Sequence, residues 1–352
     1  MKKFDYSFLK NSLFPANLIN ITSNITELKS LERVRKKDFQ KIFTKLESMA
    51  KVQSVKGSNA IEGIVTSDKR IEEIVNNSSA PLNHNEEEIA GYRDALNIIH
   101  NNFQNIDIIQ SDILNLHSIL LSYTTYDGRG KYKTSNNIIS EIDKDGNRKV
   151  RFYPTPANET KQAMEQMILA FIDARNDSSI NQLLLIPCFI LDFLCIHPFS
   201  DGNGRMSRLL SLLLLFKNGF DAGRYISFEE QINKNKSAYY DALKQSSLNW
   251  HEGKNDYVPF IENFIFTLFV CYKELDKRFT LINEKHLSKR ERVEATVLNT
   301  LAPIGKKEIN YILPDVSART IEVVLSQMLK QNKIKKIGTF KDAKYMKVKT
   351  NN

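Results

Sequence analysis

Apolar residues recur at three- and four-residue spacing along most of the 352-residue chain. This is the spacing of one face of an α-helix. It predicts helices joined by short polar turns over residues 20–105, and further helices over 110–121, 161–174, 229–248 and 256–276. Gly and Pro, which interrupt helices, number only 13 and 9. We therefore predict a mostly helical, all-α fold.

Two segments are apolar on all sides, Leu183–Phe199 and Leu209–Phe216. Pro187 and Asp192 interrupt the first segment, so a buried core helix suits it better than a membrane span. Both segments border the polar run that starts at His197. We expect them to form a buried pair of helices that presents this run as a loop.

One stretch in the middle of the chain leaves the helical spacing. Residues Ile138–Tyr153 have apolar positions on both sides of a polar run, Asp143–Asn147. The Asp-Gly pair at 145–146 is typical of a tight hairpin turn. We predict a small β-hairpin over Ile138–Tyr153.

The C-terminal residues 281–352 differ from the rest in charge. They carry 15 Lys and Arg against 7 Asp and Glu, which is nearly all of the chain's net charge of +9. Three short helices and two strands are predicted there, at 292–301, 306–313, 317–331, 334–337 and 344–348. That order is typical of a winged helix, for which DNA binding and binding of a protein partner stay equally open.

The densest chemistry lies between residues 197 and 208, which read H-P-F-S-D-G-N-G-R-M-S-R. The two glycines allow consecutive backbone N–H groups to converge at the start of the following helix, an arrangement that suits a phosphate. The two arginines are three residues apart and are expected to project toward the same anion. The residues predicted to hold a polyphosphate are Gly202, Asn203, Gly204, Arg205 and Arg208.

Two further side chains of this run fit a reaction at a phosphate. The imidazole of His197, with an ordinary pKa of about 6.5, can accept a proton from an attacking hydroxyl near neutral pH. Asp201 offers a hard oxygen ligand beside the polyphosphate, where Mg²⁺ binds through one carboxylate, phosphate oxygens and water. We predict that His197 is the general base and that Asp201 is the metal ligand.

The run resembles the signature of the Fic family, H-x-F-x-D/E-G-N-G-R-x-x-R, and matches every defined position. The resemblance implies a protein adenylyltransferase, which moves AMP from ATP to a Ser, Thr or Tyr hydroxyl of a target protein. Arg205 and Arg208 would hold the β- and γ-phosphates. Tyr239 and Tyr240 resemble family tyrosines near the adenine. The predicted hairpin falls where the family has a flap, which would hold a target segment through main-chain hydrogen bonds.

A second run, Ser58-Asn-Ala-Ile-Glu62-Gly63, resembles the inhibitory motif S/T-x-x-x-E-G/N of many Fic proteins. Ser58 and Glu62 are four residues apart and would share one face of a helix. The resemblance implies that Glu62 pairs with Arg208, so that ATP binds in an unproductive pose.

Two other residues near these motifs are judged on their surroundings. His117 lies in a Leu-rich helix, and we expect a packed, hydrogen-bonded residue outside the site. Lys133 follows an aromatic residue where Fic relatives more often have an Arg, which puts a planar, bidentate contact there in doubt.

The resemblance also divides the chain into three parts. These are an N-terminal helical region with the inhibitory motif at 1–105, a Fic catalytic core at 106–280 and the winged helix at 281–352. Three alternatives remain open: removal of AMP, transfer of another phosphate-containing group, and a DNA-binding regulator whose Fic core senses nucleotide. A homodimer is also left open.

Cysteine usage bears on location. Cys188, Cys195 and Cys271 lie among apolar neighbours, are odd in number and lack metal-ligand spacing, which favours a reducing compartment. The start of the chain has no apolar core of signal-peptide length. We expect a cytoplasmic protein that is not bound to a membrane.

Overall fold

The computed structural model describes residues 2–142, 147–283, 287–300, 303–338 and 343–348. Within these ranges the protein is predominantly helical with two small antiparallel sheets, which confirms the predicted all-α class. Six helices precede the motif: α1 Ala16–Asp38, α2 Gln40–Ile61, α3 Asp68–Asn77, α4 His84–Asn102, α5 Gln110–Leu120 and α6 Ala157–Asn176. Eight more lie around and after it: α7 Gln182–Ile196, α8 Asn203–Lys217, α9 Phe228–Lys234, α10 Lys236–Ser246, α11 Val258–Asn283, α12 Lys289–Asn299, α13 Lys306–Ile312 and α14 Ala318–Lys330.

Helices α7 and α8 form the predicted buried pair. Every residue of Leu183–Ile196 and of Leu209–Phe216 is buried. Helix α7 packs against α6, α8 and α11, and α8 packs against α4, α2 and α5 as well. The loop between α7 and α8 therefore has fixed walls on several sides. Across the ranges that the structure describes, no helix combines the length and the apolar character that crossing a membrane requires.

Asp192 interrupts the apolar run of α7 and anchors the start of the chain. Its carboxylate is buried and accepts hydrogen bonds from Tyr6 Oη at 2.8 Å, Trp250 Nε1 at 2.6 Å and Tyr257 Oη at 3.0 Å. The ammonium of Lys2 lies 3.2 Å away. A buried carboxylate is tolerated only with such donors. The network fixes the helix that ends at the motif.

The predicted hairpin is present as β1, Ile139–Ile142, and β2, Arg148–Phe152. The two strands are antiparallel, with Ile142 opposite Arg148, and a register shift lies between Ile139 and Ser140. The predicted turn at 145–146 lies outside the described residues. The hairpin borders the cavity that is described below.

The prediction of one helix over residues 229–248 is wrong in one respect, because two separate helices, α9 and α10, cover this segment. Asn235 lies between them with φ −117°. Its amide nitrogen Nδ2 contacts the carbonyl of Gln231 at 3.3 Å, and its N–H bonds the carbonyls of Gln231 and Ile232. Asn side chains compete with the helical ladder in this way, and the chain changes direction there.

The C-terminal segment has a hydrophobic cluster of its own, which includes Val293, Ile309, Val324 and Met328. Strands β4, Ile334–Ile337, and β5, Lys344–Lys347, pair as predicted. A third strand, β3, Ile304–Gly305, pairs with β5 and was not predicted, because two residues carry no periodic signal. The winged-helix assignment and the three domain ranges stay predictions.

The predicted linker at 281–288 begins later than expected. Helix α11 continues to Asn283, and residues 284–286 lie outside the described part of the chain. The C-terminal segment contacts helices α2 and α3. Lys45 Nζ donates to the carbonyl of Pro314 at 2.5 Å, and Lys307 pairs with Glu72 at 2.9 Å.

Candidate active site

The motif forms a loop between the end of α7 and the start of α8. His197 caps α7 with a left-handed backbone, φ 52°, and Gly202 precedes α8 with φ 81°. The left-handed region disfavours side chains with a Cβ, so Gly suits position 202. A Cβ there would also lie 3.3 Å from Leu120. The left-handed residues His197 and Gly202 therefore fix the direction of the backbone at both ends of this loop.

His197 is oriented by the helix that it ends. Its Nδ1 lies 3.2 Å from the carbonyl oxygen of Leu194. A carbonyl can only accept, so Nδ1 carries the proton and the neutral ring presents the lone pair of Nε2. Burial lowers the pKa of His197 to about 4, and the charge of Lys133 adds to this effect. The ring is neutral at pH 7 and can accept a proton.

Asn203 supports the loop instead of offering its amide to a ligand. The N–H of Phe199 donates to Asn203 Oδ1 at 2.9 Å, and Asn203 Nδ2 donates to the carbonyl of Phe199 at 2.7 Å. The first N–H groups of α8 have no partner within the helix, as at every helix start. These backbone groups at Asn203, Gly204 and Arg205, together with the helix dipole, form the anion-binding end of α8.

Arg208 lies in a buried polar cluster with the second motif. Its Nε donates to Ser58 Oγ at 2.8 Å, and its NH2 nitrogen donates to the carbonyl of Ser58 at 2.9 Å. The same nitrogen lies 2.8 Å from Glu62 Oε1. Burial works to lower the pKa of Arg208, but Glu62 and nearby tyrosines hold it above its usual value. The predicted pair between Glu62 and Arg208 is thus present in the structure.

Gly63 and Gly204 fit this contact. Helix α2 ends at Ile61, Glu62 is its C-cap, and Gly63 follows with a left-handed backbone, φ 81°. A Cβ at Gly204 would lie 2.2 Å from Glu62 Oε1. The Glu62 carboxylate therefore lies against the start of α8 as well as on Arg208, where a phosphate would also be bound.

Arg205 takes a different direction from Arg208. Its guanidinium is buried, forms an ion pair with Glu88 of α4, and lies 3.3 Å from Asp201 Oδ2. The expectation that both arginines project toward one anion is not met by this arrangement, because Glu88 draws Arg205 toward α4. Contact of Arg205 with a β-phosphate stays a prediction.

Asp201 lies on the exposed side of the loop. Its Oδ1 accepts the N–H of Gly202 at 2.6 Å, and more than half of its side chain is exposed. The carboxylate can still offer oxygen to an entering ion. Its position is fixed from two sides, by the Gly202 backbone and by Arg205.

A cavity of about 490 Å³ opens in front of the loop. His197, Gly204, Arg208 and Glu62 line one part of it, and the hairpin lines another. Tyr239 and Tyr240 of α10 also line it, with ring centroids 5.4 Å apart. Asp201 and Arg205 are outside the lining that the described residues define.

His117 has a part in the site that its sequence neighbours did not indicate. It is packed and hydrogen-bonded as expected, but its partners belong to the motif and to the turn that follows α5. Its Nε2 lies 3.1 Å from the carbonyl of Asp201, Gly130 N–H donates to its Nδ1 at 3.0 Å, and its ring stacks on Phe199 at 3.7 Å. Only the tertiary fold brings these residues together.

Burial lowers the pKa of His117 to about 4. Protonation of Nδ1 would also place a second donor against Gly130 N–H. The unfolded chain takes up this proton near pH 6.5, so its contribution to stability is full above that pH and is lost as pH falls toward 4. We expect the stability advantage of the parent over His117→Gln to shrink by about 2 kcal/mol between pH 7.5 and pH 5. Urea unfolding at the two pH values measures it, and a constant gap contradicts this account of the ring.

Lys133, where the Fic resemblance led us to expect an Arg, supports the loop. Its Nζ donates to the carbonyl of Ile196 at 3.1 Å and to Asn137 Oδ1 at 2.9 Å, and its N–H donates to the carbonyl of Pro198. Burial lowers the pKa of Lys133 to about 8. The Lys133 ammonium thus hydrogen-bonds the last carbonyl of α7 through a single donor, without the bidentate contact that an Arg could make.

Comparisons with known proteins identify a family domain in the part of the chain that carries this loop. Residues 107–215 match the Fic/DOC family. The chain is 26% identical over 205 residues to "Protein adenylyltransferase Fic" of Nematostella vectensis, covering 55% of this chain and 43% of that protein. It is 36% identical over 63 residues to a Fido domain-containing protein of Dictyostelium discoideum, covering 40% of its length. The chain thus spans less than half the length of these curated relatives.

Solved structures share the fold across most of the chain. A Fic family protein from Desulfovibrio desulfuricans G20 superposes with a TM-score of 0.61 at 18% identity, covering 97% of this chain and 98% of that one. Fic-1 from C. elegans gives a TM-score of 0.55 at 18% identity, covering 76% and 74%. The complete signature lies on the loop between α7 and α8, and residues 107–215, which include this loop, form a Fic/DOC domain.

Proposed function

We propose that the protein transfers AMP from ATP to a Ser, Thr or Tyr hydroxyl of a target protein, and that Glu62 holds it in a self-inhibited state. One observation carries the proposal. The 2.8 Å pair between Glu62 and Arg208 lies in the same cavity as the unprotonated Nε2 of His197. The base for a transfer and a block on its phosphate site thus lie side by side.

In the transfer, the start of α8 and a freed Arg208 bind the terminal phosphates, and Tyr239 and Tyr240 contact the adenine. His197 Nε2 takes the proton of the target hydroxyl while its oxygen attacks the α-phosphorus. The bond between the α-phosphorus and the bridging oxygen breaks, and pyrophosphate leaves with the electron pair. The backbone N–H groups of α8 stabilise negative charge on the phosphates.

Asp201 fits Mg²⁺ by its chemistry and its exposure. It offers a hard carboxylate oxygen at the edge of the loop, held by Gly202 N–H and Arg205. Phosphate oxygens and water would complete the shell. Bound there, Mg²⁺ would neutralise phosphate charge, and Arg205 and Glu88 would keep the carboxylate in position.

Isotope labelling tests the reaction. After incubation of the Glu62→Gly protein with Mg²⁺ and ATP, AMP transfer places label from the α-phosphate on protein, whereas label from the γ-phosphate stays in solution. Protein labelled only from the γ-phosphate would instead identify a phosphoryl transferase. Glu62→Gly combined with His197→Ala serves as the control for adsorbed nucleotide.

Removal of AMP is the second candidate, and the position of Glu62 favours it. Only Oε1 of this carboxylate contacts Arg208, and the side chain is one-third exposed inside the cavity. A second carboxylate oxygen can orient water toward a bound AMP group. Release of AMP from a modified protein by the parent, lost in Glu62→Gly, would support this candidate.

We further propose that residues 281–352 form a winged helix that binds duplex DNA. Its third helix, α14, is capped by Ser317 Oγ and exposes Arg319 at its start. Counterion release predicts that the affinity of the full chain for duplex DNA falls by about 10³-fold or more between 50 and 200 mM salt. Gel-shift titration against salt measures this. Absence of any shift at low salt would favour a protein partner, including a second copy of the chain.

A further inference from the structure

The hairpin contributes a positively charged side chain to the cavity, in addition to the arginines of the motif. Arg151 of β2 lines the same cavity as His197 and Arg208. Its Nε is buried and has no hydrogen-bond partner within the described residues. A buried guanidinium nitrogen without an acceptor is costly, so a ligand that brings acceptors to this guanidinium would stabilise it.

The other cations of the cavity are already paired. Arg208 is held by Glu62, and Lys244 lies 2.8 Å from Glu141 of β1. In the ranges covered by the structure, no carboxylate lies within ion-pair distance of Arg151. Arg151 is therefore the cation of the lining that remains available while Glu62 occupies Arg208.

Arg151 also acts on the reacting end of the cavity. Burial is the main cause of the low pKa of His197, and the positive charge of Arg151 adds to it. The same charge works to lower the pKa of Tyr239, which burial raises overall. The guanidinium thus lies within electrostatic range of His197, Tyr239 and Tyr240. If the tyrosines contact the adenine and His197 serves the attacking hydroxyl, the phosphate next to the ribose would lie between them.

We propose that Arg151 binds the α-phosphate of the nucleotide and holds AMP and ATP in the cavity while Glu62 occupies Arg208. This assignment rests on the proposed function, because it takes a nucleotide as the ligand. A guanidinium matches phosphate oxygens with two parallel hydrogen bonds. Because Arg151 lines the cavity together with His197 and Arg208, a ligand inside the cavity suits it better than an acidic side chain of a target protein at the rim.

The proposal changes the expected role of the hairpin. Besides holding a target segment, β2 would contribute a residue that orients the phosphorus under attack, so Arg151 contacts the substrate directly. Arg208 would act on the terminal phosphates and Arg151 on the phosphate that is transferred. The inhibited protein would then bind nucleotide without turning it over.

The test compares Arg151→Ala with Arg148→Ala. Arg148 lies on the same strand, is exposed and is absent from the cavity lining, so both variants lose one positive charge from β2. Equilibrium binding is measured with adenosine, AMP and α,β-methylene ATP. We expect Arg151→Ala to weaken AMP and the ATP analogue by about 10-fold or more and adenosine by less than about two-fold. Arg148→Ala should change all three by less than about two-fold.

Each other outcome counts against the assignment. Unchanged AMP affinity in Arg151→Ala would overturn it and place the residue at the target side. An equal loss for adenosine and AMP would mean that the side chain shapes the base site, provided urea unfolding of both variants matches the parent. Because binding needs no turnover, a Glu62→Gly protein that binds AMP and the ATP analogue but transfers no AMP would contradict only the proposed function. A parent that binds no nucleotide would overturn both.

Discussion

We expect replacement of Glu62 by Gly to raise the rate of the proposed AMP transfer by roughly 10²-fold at saturating ATP and Mg²⁺. The carboxylate occupies Arg208 at 2.8 Å and lies against Gly204 at the start of α8. Its removal frees a charge-assisted donor and the anion-binding end of the helix together. ATP affinity should change less than the rate, since a corrected phosphate pose lowers the barrier more than it strengthens binding.

Variants of the same contact make this result specific. Combining Glu62→Gly with Arg208→Ala should abolish the gain, because the freed partner no longer exists. Glu62→Gln, which keeps the hydrogen bond but loses the charge, should give an intermediate rate. Removal of an exposed carboxylate elsewhere, Glu252→Gly, should leave the rate unchanged. A Glu62→Gly protein no faster than the parent would refute inhibition by this residue.

Loss of the base gives the second large effect. Replacing His197 by Ala in the Glu62→Gly background should lower transfer by about 10²- to 10⁴-fold. ATP affinity should stay within a few-fold, because in the proposed reaction the start of α8 and Arg208 bind the phosphates, whereas His197 only moves a proton. Single-turnover rates and equilibrium nucleotide binding measure the two quantities separately.

A conservative variant separates proton transfer from packing. His197→Asn retains a polar side chain at the end of α7 but offers no base, so it should be as slow as the Ala variant. Transfer at the parental rate in either variant would rule out His197 as the base. Equal losses of rate and of ATP affinity would instead show that the side chain supports the fold of the loop.

The sequence predicted the site where its chemistry is local. Between His197 and Arg208 the glycines, the base and the helix start follow one another, so backbone rules suffice to anticipate a loop that can bind phosphate. The contact between Glu62 and Arg208 was anticipated through a family resemblance. Nothing in the spacing of two residues so far apart would have indicated it.

What the sequence could not predict depends on distant partners. Arg205 turns away from Arg208 because Glu88 on α4 pairs with it. His117 joins the site because α5 packs beside α8. The role of Arg151 could not be predicted, because the alternation of side chains along a short strand does not indicate which face of the strand borders a cavity. In each case the neighbour across the fold, not the residue's own segment, decides its role.

Intact-mass analysis after incubation with ATP and Mg²⁺ tests the central claim most directly. We expect Glu62→Gly to gain the mass of one or more AMP groups on its own hydroxyls, the parent to gain little, and Glu62→Gly with His197→Ala to gain none. A gain of phosphate mass alone, or equal AMP gain in the parent and Glu62→Gly, would contradict a self-inhibited adenylyltransferase.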